Sequence, residues 1–136
     1  MIKLITVEDY LMGRDKDYPL SKELAYNMAN LLIRVNALIL KLNISTVLSS
    51  GYRPGGHNLK AGGSSKSAHI SCMAVDLIDP LGKIGQLLEL RTDVLEEFNL
   101  YLESPRYTVK NKVDGSVVRW VHLQTRKTIN RVFIPK

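Results

Sequence analysis

Cysteine is scarce in this chain of 136 residues, and this scarcity excludes several classes of protein. Cys72 is the single cysteine, so the chain can form neither an internal disulfide nor a zinc site built on paired cysteines. No apolar run approaches the roughly 20 residues of a membrane-spanning helix. We therefore expect a single domain over residues 1–136, with a core that needs no disulfide and with no membrane insertion.

The first residues lack the apolar segment of a secretory signal peptide. The opening sequence MIKLITVEDYLMGRDKDYP has acidic residues where that segment needs apolar ones. We therefore expect synthesis in the cytoplasm.

Acidic residues are scarce in the last quarter of the chain. Residues 106–136 carry eight lysines and arginines and one acid, Asp114, which gives this segment a net charge of +7. The whole chain carries +6, so residues 1–105 sum to −1. A basic surface attracts nucleic acid, anionic membrane or an anionic polymer such as a cell wall, and charge alone does not rank these. No zinc-finger, helix-turn-helix or RNP pattern is present, so we do not expect a nucleic-acid partner.

Hydrophobic periodicity predicts an α+β fold, a small antiparallel sheet with helices packed on it. An i, i+3, i+4 stripe predicts a helix that is capped by Ser21 and ends near Asn43. A second helix is predicted over residues 82–98. Short β-branched or apolar segments predict strands at 44–50, 74–78, 100–103, 117–124 and 131–134. Residues 51–68 are rich in glycine and serine and predict a long loop, which in a compact domain is usually functional or disordered.

Residues with reactive side chains flank the predicted strand 74–78. His69 precedes Asp76 by seven residues, and a turn at 70–73 would bring the two side chains together. In the later strand, His122 lies on the face that also carries Val118, Trp120 and Gln124. Each histidine could instead be an ordinary hydrogen-bonded residue of the sheet, whereas a carboxylate in an apolar strand needs a partner or a metal.

Two histidines and one aspartate are a known ligand type for catalytic zinc. Three protein ligands leave the fourth position open to water. Zinc lowers the pKa of such water towards ~7 and polarises a carbonyl, which permits amide hydrolysis.

The motifs around these residues resemble one family of peptidases. They are Ser49-Ser50-Gly51-Tyr52-Arg53-Pro54, Asn58, Gly62-Gly63, Ser67-Ala68-His69, Ala74-Val75-Asp76-Leu77 and Trp120-Val121-His122. Over residues 49–124 the chain resembles the zinc peptidases of the D-Ala-D-Ala carboxypeptidase and L-alanyl-D-glutamate endopeptidase family, which cleave bacterial peptidoglycan peptides and share the hedgehog-like fold. Segments 11–15, 100–103 and 131–135 resemble small bacteriophage members.

The resemblance implies the cofactor, the substrate and the setting. It implies that His69, Asp76 and His122 bind Zn²⁺ and that the substrate is a peptidoglycan stem peptide. It further implies a phage protein, endolysin-like and monomeric, that acts on the host wall after release or from the virion. The alternative is a peptidase-like module that binds zinc but no longer hydrolyses, with a structural or wall-binding role.

The resemblance also implies which residues contact the substrate. Arg53 would hold a peptide carboxylate or stabilise the oxyanion. Ser67 would help hold the carboxylate end of the substrate, and Tyr52 and Trp120 would form walls of the cleft. A turn arginine and ordinary core aromatics are the alternatives.

The general base departs from part of the family pattern. Some branches have an acid three residues before the last histidine, where this chain has Arg119, which cannot accept a proton. In another branch a glutamate ends the preceding strand, and Glu103 matches that position. We therefore expect Glu103 to be the base, with Asp114 as the alternative. A surface Glu103 paired with Arg106 is the structural alternative.

Cys72 stands where the family usually has glycine. We expect a small buried residue there, with metal ligation as the alternative. His57, in the predicted loop, is an alternative extra ligand.

Overall fold

Helices and strands come in separate groups along the chain, as in an α+β domain. The computed structural model describes residues 2–55 and 66–135. Its elements are α1 (Val7–Leu11), a 3-10 turn (Arg14–Lys16), α2 (Lys22–Leu42), β1 (Leu48–Ser50), β2 (Ala74–Ile78), α3 (Lys83–Leu90), α4 (Thr92–Glu97), β3 (Tyr101–Glu103), β4 (Val109–Asn111), β5 (Val117–Gln124) and β6 (Val132–Phe133). The predicted fold class is confirmed. No helix within the described ranges is long and apolar enough to cross a membrane.

The long helix α2 has the capping residues that the sequence predicted. The Ser21 side chain accepts a hydrogen bond from the Leu24 amide at 3.1 Å. At the other end Asn43 adopts the left-handed conformation, with φ of 54°. The bounds predicted for this helix are therefore confirmed.

The sheet is built around β5. Its strand order is β1-β2-β5-β3-β6, and β4 pairs with the first half of β5 to form a hairpin. All pairs are antiparallel except β3 with β6, which run parallel. The second half of β5 is buried between β2 and β3, whereas its first half is largely exposed.

The two faces of the sheet have different contents because side chains alternate along each strand. Val75 and Leu77 of β2 and Val121 and Leu123 of β5 join the hydrophobic core. The same core contains the buried stripe of α2, made of Met28, Leu31, Leu32, Val35, Leu38 and Ile39. The opposite face of β2 and β5 is free to carry polar side chains.

Several predicted bounds differ from the structure. The strand predicted over 44–50 is shorter, because Ile44 donates its amide to the Ile39 carbonyl and completes the end of α2. The helix predicted over 82–98 is two helices, because Arg91 leaves the helical conformation with φ of −119° and ψ of 50°. The predictions did not include α1 or β4. Most of the predicted loop, 56–65, lies outside the described residues, together with Asn58, Gly62-Gly63 and His57.

Candidate metal centre and active site

One row of side chains crosses the sheet at the buried half of β5. Asp76 lies opposite His122 in the β2–β5 ladder, and Ser50 of β1 lies opposite Asp76. On the other side of β5, Leu102 pairs with Leu123, so the next residue of β3, Glu103, faces His122. Directly opposite residues of neighbouring strands share one face of a sheet. Ser50, Asp76, His122 and Glu103 therefore lie side by side on the face opposite the core.

A tight turn brings His69 to this row. Residues 67–73 close on themselves through hydrogen bonds from the Ile70 amide to the Ser67 carbonyl at 3.1 Å and from the Met73 amide to the Ala68 carbonyl at 2.9 Å. His69 Nε2 then lies 3.2 Å from Asp76 Oδ2, and the two histidine rings are 5.3 Å apart. The predicted meeting of His69, Asp76 and His122 is thus present in the structure.

Each histidine ring is oriented by a hydrogen bond at the nitrogen that points away from Asp76. His69 Nδ1 lies 2.8 Å from the Gly51 carbonyl oxygen, and His122 Nε2 lies 2.8 Å from Gln124 Oε1. Since both partners are acceptors, each of these outer nitrogens carries a proton. Each inner nitrogen can then donate to Asp76 when the imidazole is protonated, or offer its lone pair to a metal when it is neutral. His69 Nε2 and His122 Nδ1 are left on the inner side, with the latter 2.9 Å from Asp76 Oδ1.

This donor set fits a zinc ion. One ligand atom from each of His69, Asp76 and His122 lies within 4.8 Å of the other two. All three side chains are nearly buried, which favours a charge partner over solvation. Metal-binding histidines usually donate their other N–H to a carbonyl or carboxylate, as both do here.

The charges in the site shift the pKa values of its acids in opposite directions. Burial alone would raise the pKa of Asp76, but hydrogen bonds from His122 and His69 outweigh it and hold that pKa well below its usual range. Burial raises the pKa of Glu103, the charge of His122 opposes that rise, and Asp76 adds to it. Asp76 is therefore an anion suited to a cation, whereas Glu103 binds a proton more readily than an ordinary glutamate.

Arg53 borders the same row. Its Nε donates to Ser50 Oγ at 2.9 Å, and its NH2 group lies 3.3 Å from Asp76 Oδ2. Its own amide donates to the His69 carbonyl at 3.2 Å, which links the loop after β1 to the histidine turn. With 23% of its side chain exposed, the guanidinium is fixed in place and still meets solvent.

A cleft of about 520 Å³ opens from this row along β2 and β5. Its walls at the metal end are polar and come from Ser49, Ser50, Arg53 and Asp76. Two strand positions further on the walls are mostly apolar, since Trp120 lies opposite Ile78 in the ladder and Pro80, Val117 and Val118 join them. Arg119 is the charged residue at this end. The cleft thus offers the Arg53 guanidinium and the Asp76 carboxylate at one end and a largely apolar surface, bordered by Arg119, at the other.

The sequence of the chain identifies the family to which this site belongs. Residues 8–107 match the model of the family described as peptidase M15. The chain belongs to the peptidase M15 family. The matched stretch includes Arg53, His69, Asp76 and Glu103 but ends before β5, so His122 joins the site on the evidence of the geometry. The chain matches no curated protein and no solved structure.

M15 peptidases are zinc-dependent, and the cluster of His69, Asp76 and His122 supplies the donors such an enzyme needs. The family match and the cluster together support a zinc peptidase.

The two candidate bases lie in different surroundings. Glu103 is half-buried in the row beside His122. Asp114 is exposed in the turn between β4 and β5, where its carboxylate accepts from the Ser116 amide and hydroxyl. Asp114 precedes Val117 in the hairpin, and the five residue-to-residue steps from Val117 to His122 span about 16 Å at ~3.3 Å each. Of the two candidate general bases, only Glu103 lies in the row beside His122.

Arg119 occupies the opposite face from the metal donors. It is three residues before His122, an odd number, so strand alternation turns it away from that histidine. Its side chain lies over Gly82, where an added Cβ would be 3.4 Å from Arg119 Cδ. Arg119 therefore does not point towards the metal donors, although it borders the cleft together with Val118 and Trp120.

Tyr52 and Ser67 stabilise the backbone segments that carry the site. The Tyr52 side chain is buried, and its hydroxyl donates to the Tyr18 carbonyl at 3.1 Å, so its ring is not a cleft wall. Ser67 Oγ accepts from the His69 amide at 3.2 Å, which leaves the hydroxyl proton available to a ligand. Trp120 is half-buried and does line the cleft.

Cys72 is a buried residue of the histidine turn. Its φ of 58° explains why glycine is usual at this position, since the left-handed region disfavours side chains. The thiol is fully buried, and burial raises its pKa to about 11. A thiol that stays protonated is a poor metal ligand, and Cys72 is not in the cluster.

Two residues that the sequence analysis assigned no role hold the histidines. Gln124 orients His122, and Gly51 supplies the carbonyl that orients His69. A side chain at Gly51 would overlap the backbone carbonyl of Tyr10, to which the Tyr52 amide donates. The signal for Gln124 was its position two residues after His122, on the same face of the strand.

A second cleft, of about 370 Å³, lies between α1 and β1. Its lining includes Leu4, Glu8, Met12 and Val47 and contains none of the metal donors. The chemistry of the side chains therefore favours the cleft beside Asp76.

Proposed function

We propose that this M15 peptidase hydrolyses peptide bonds in the stem peptides of bacterial peptidoglycan, of the D-Ala-D-Ala or L-Ala-D-Glu type. The observation that carries the proposal is the convergence of His69, Asp76 and His122, with the outer nitrogen of each histidine already bonded to an acceptor. A bound zinc ion would polarise the scissile carbonyl and lower the pKa of water in its shell.

Glu103 is the proposed general base. It faces His122 in the sheet, and burial raises its pKa, which brings it closer to the value that suits proton transfer near neutral pH. It accepts a proton from the attacking water and passes it to the amine that leaves. The carboxylate is only half-buried, so it can still exchange a proton with water.

Arg53, Ser67 and Trp120 are the proposed substrate contacts. The guanidinium of Arg53 is held by Ser50 and can bind a peptide carboxylate or the developing oxyanion. The hydroxyl of Ser67 donates to the carboxylate end of the substrate. Trp120, with the apolar end of the cleft, packs against the peptide. Tyr52 acts indirectly, because its backbone and buried ring fix the loop that carries Arg53.

The basic segment supports a wall substrate. The positive charge of residues 106–136 includes the strand that bears His122, so an anionic wall polymer and the cleft would meet on the same part of the molecule. We extend the proposal to a phage protein that reaches the host wall after release or from the virion.

A second candidate is a zinc-binding module of the same fold that holds the wall without cutting it. One observation favours it: at the cleft the chain has the cation Arg119 in place of the acid that some branches use.

Digestion of purified peptidoglycan, followed by mass spectrometry of the fragments, separates the two candidates. We expect the protein with zinc restored to release stem-peptide fragments, and His122→Ala to release none. Glu103→Gln should keep zinc while its rate falls at least ~100-fold, the usual scale for a lost base, and Asp114→Asn should behave as the parent. Sedimentation with cell walls without turnover would reject the enzyme and favour the binding module.

A further inference from the structure

The solvent-facing side of α2 is apolar, whereas a surface helix normally presents charged and polar residues to water. Tyr26 and Ile33 are each 71% exposed, and Leu40 is 56% exposed. Every exposed residue of α2 between Glu23 and Lys41 is apolar, and these are Ala25, Tyr26, Ala29, Ile33 and Leu40. A continuous apolar surface of this kind marks an interaction site.

The polar residues of this part of the helix are directed elsewhere. Arg34 donates to Asn30 Oδ1 at 2.9 Å and to the Phe98 carbonyl at 3.1 Å. Asn36 is bonded to the backbone of Ile5 through both its oxygen and its nitrogen. These side chains therefore do not cover the apolar surface.

The spacing of the surface is symmetric about its centre. We call Tyr26, Ala29, Ile33, Ala37 and Leu40 the α2 face. Its steps of three, four, four and three residues read the same from either end, and large and small side chains alternate. At about 100° per residue the five positions lie within an arc of about 80°.

Such a pattern is complementary to itself in an antiparallel pair. A two-fold axis beside Ile33 places Tyr26 of one copy against Leu40 of the other and Ile33 against Ile33. Ala29 meets Ala37, and these small side chains let the two helices approach closely. An interface with a two-fold axis requires this self-complementarity.

The charges at the two ends of α2 agree with the same arrangement. Glu23 and Lys41 are 18 residues apart, or five full turns, so both lie on one flank of the α2 face. The two-fold operation reverses the helix direction and keeps the flank, so Glu23 of each copy lies near Lys41 of the other. Within its own chain Lys41 also pairs with Glu97 at 3.2 Å, so this contribution to the attraction is small. The antiparallel helix dipoles add to this attraction.

We propose that the α2 face binds a second copy of this chain and forms a two-fold symmetric dimer. The partner is a second copy because the spacing of the apolar residues and the charges at the two helix ends are complementary to the same helix in the opposite direction. The core lies between α2 and the sheet, and the cleft is on the far face, so both clefts stay open. A monomer was the expectation from the sequence, and the two-fold dimer replaces it.

The area of the face indicates a weak dimer. Three large side chains at these exposures would bury roughly 300–450 Å² per copy, about half of the ~800 Å² per partner in a standard interface. Association should therefore depend strongly on protein concentration.

Sedimentation velocity of the full chain tests the proposal. From about 5 μM to about 500 μM, we expect the fraction of dimer to rise, with a dissociation constant in the micromolar range. Ile33→Lys should weaken association at least tenfold, whereas Ile129→Lys, which changes an exposed isoleucine outside α2, should not. Glu23→Lys should weaken it by a few fold, whereas Glu89→Lys, which changes an exposed glutamate outside α2, should not.

A disulfide test fixes the symmetry. Ile33→Cys should form a covalent dimer on mild oxidation, because the two-fold axis brings the two copies of that residue together, and Ser45→Cys should stay monomeric. A monomer at the highest concentration, or a dimer that survives Ile33→Lys, would overturn the proposal. A complex with an unrelated protein at the α2 face, with no self-association, would also overturn it.

Discussion

Gln124 should determine how tightly the site binds zinc, although it cannot contact the metal itself. Its amide nitrogen donates to the Arg126 carbonyl at 2.9 Å, which turns its oxygen to His122 Nε2 at 2.8 Å. That oxygen keeps the proton on Nε2 and the lone pair of Nδ1 directed to the metal position. Gln124→Leu removes the acceptor and fills a similar volume.

The size of the effect follows from burial. Gln124 and His122 are both buried, so an N–H left without an acceptor costs about 1–3 kcal/mol. Loss of such an outer partner of a metal-binding histidine typically lowers metal affinity about 10–100-fold. We expect a loss of zinc affinity in that range for Gln124→Leu. Gln124→Glu, which keeps an acceptor oxygen, should retain most of the affinity.

Competition titration with a zinc chelator measures the affinity of both variants. Long-range nitrogen NMR of the imidazoles gives an independent readout, since the parent should show His122 as the Nε2–H tautomer in the zinc form. Unfolding of the metal-free proteins controls for general damage. Parent-like zinc affinity in Gln124→Leu, together with lowered stability, would refute the reasoning and reduce Gln124 to a packing residue.

Two further predictions concern residues around the donors. Because burial raises the pKa of Glu103, the acid limb of a kcat/KM profile should lie above the ordinary glutamate value of 4.5 and disappear in Glu103→Gln. An acid whose pKa is higher in the folded state contributes stability below its unfolded pKa and loses that contribution as pH rises through its folded pKa. Glu103→Gln should therefore be more stable than the parent at neutral pH, but not below pH 4.5. A variant that is less stable than the parent at pH 7 would indicate that Glu103 forms a structural ion pair instead. Gly51→Ala should unfold at markedly lower denaturant concentration, because the added Cβ would meet the Tyr10 backbone, whereas Gly55→Ala has open space and should match the parent.

The sequence was sufficient where a local pattern decides the structure. The cap residues Ser21 and Asn43 set the ends of α2, and the apolar run 74–78 became β2 with the predicted bounds. Alternation in β5 correctly placed Trp120, His122 and Gln124 on one face. These features depend on neighbours within a few residues.

Features that depend on distant contacts could not be read from the sequence. The ladder that sets Glu103 beside His122 depends on how β3 pairs with β5. The overlap that requires Gly51 comes from Tyr10, 41 residues earlier. The break at Arg91 and the short edge strand β1 likewise reflect backbone conformation and pairing that no local period encodes.

The positions of the three metal donors in the fold link zinc binding to the stability of the protein. Fifty-three residues separate His69 from His122, and the donors lie in a turn and on two different strands, so they meet only after β5 has paired with β2. An unfolded chain has no preformed site, and zinc binding is therefore linked to folding of the whole sheet. Each tenfold rise in free zinc above the dissociation constant would add about 1.4 kcal/mol to the free energy of unfolding. The unfolding temperature of this peptidase then becomes a function of the zinc concentration around it.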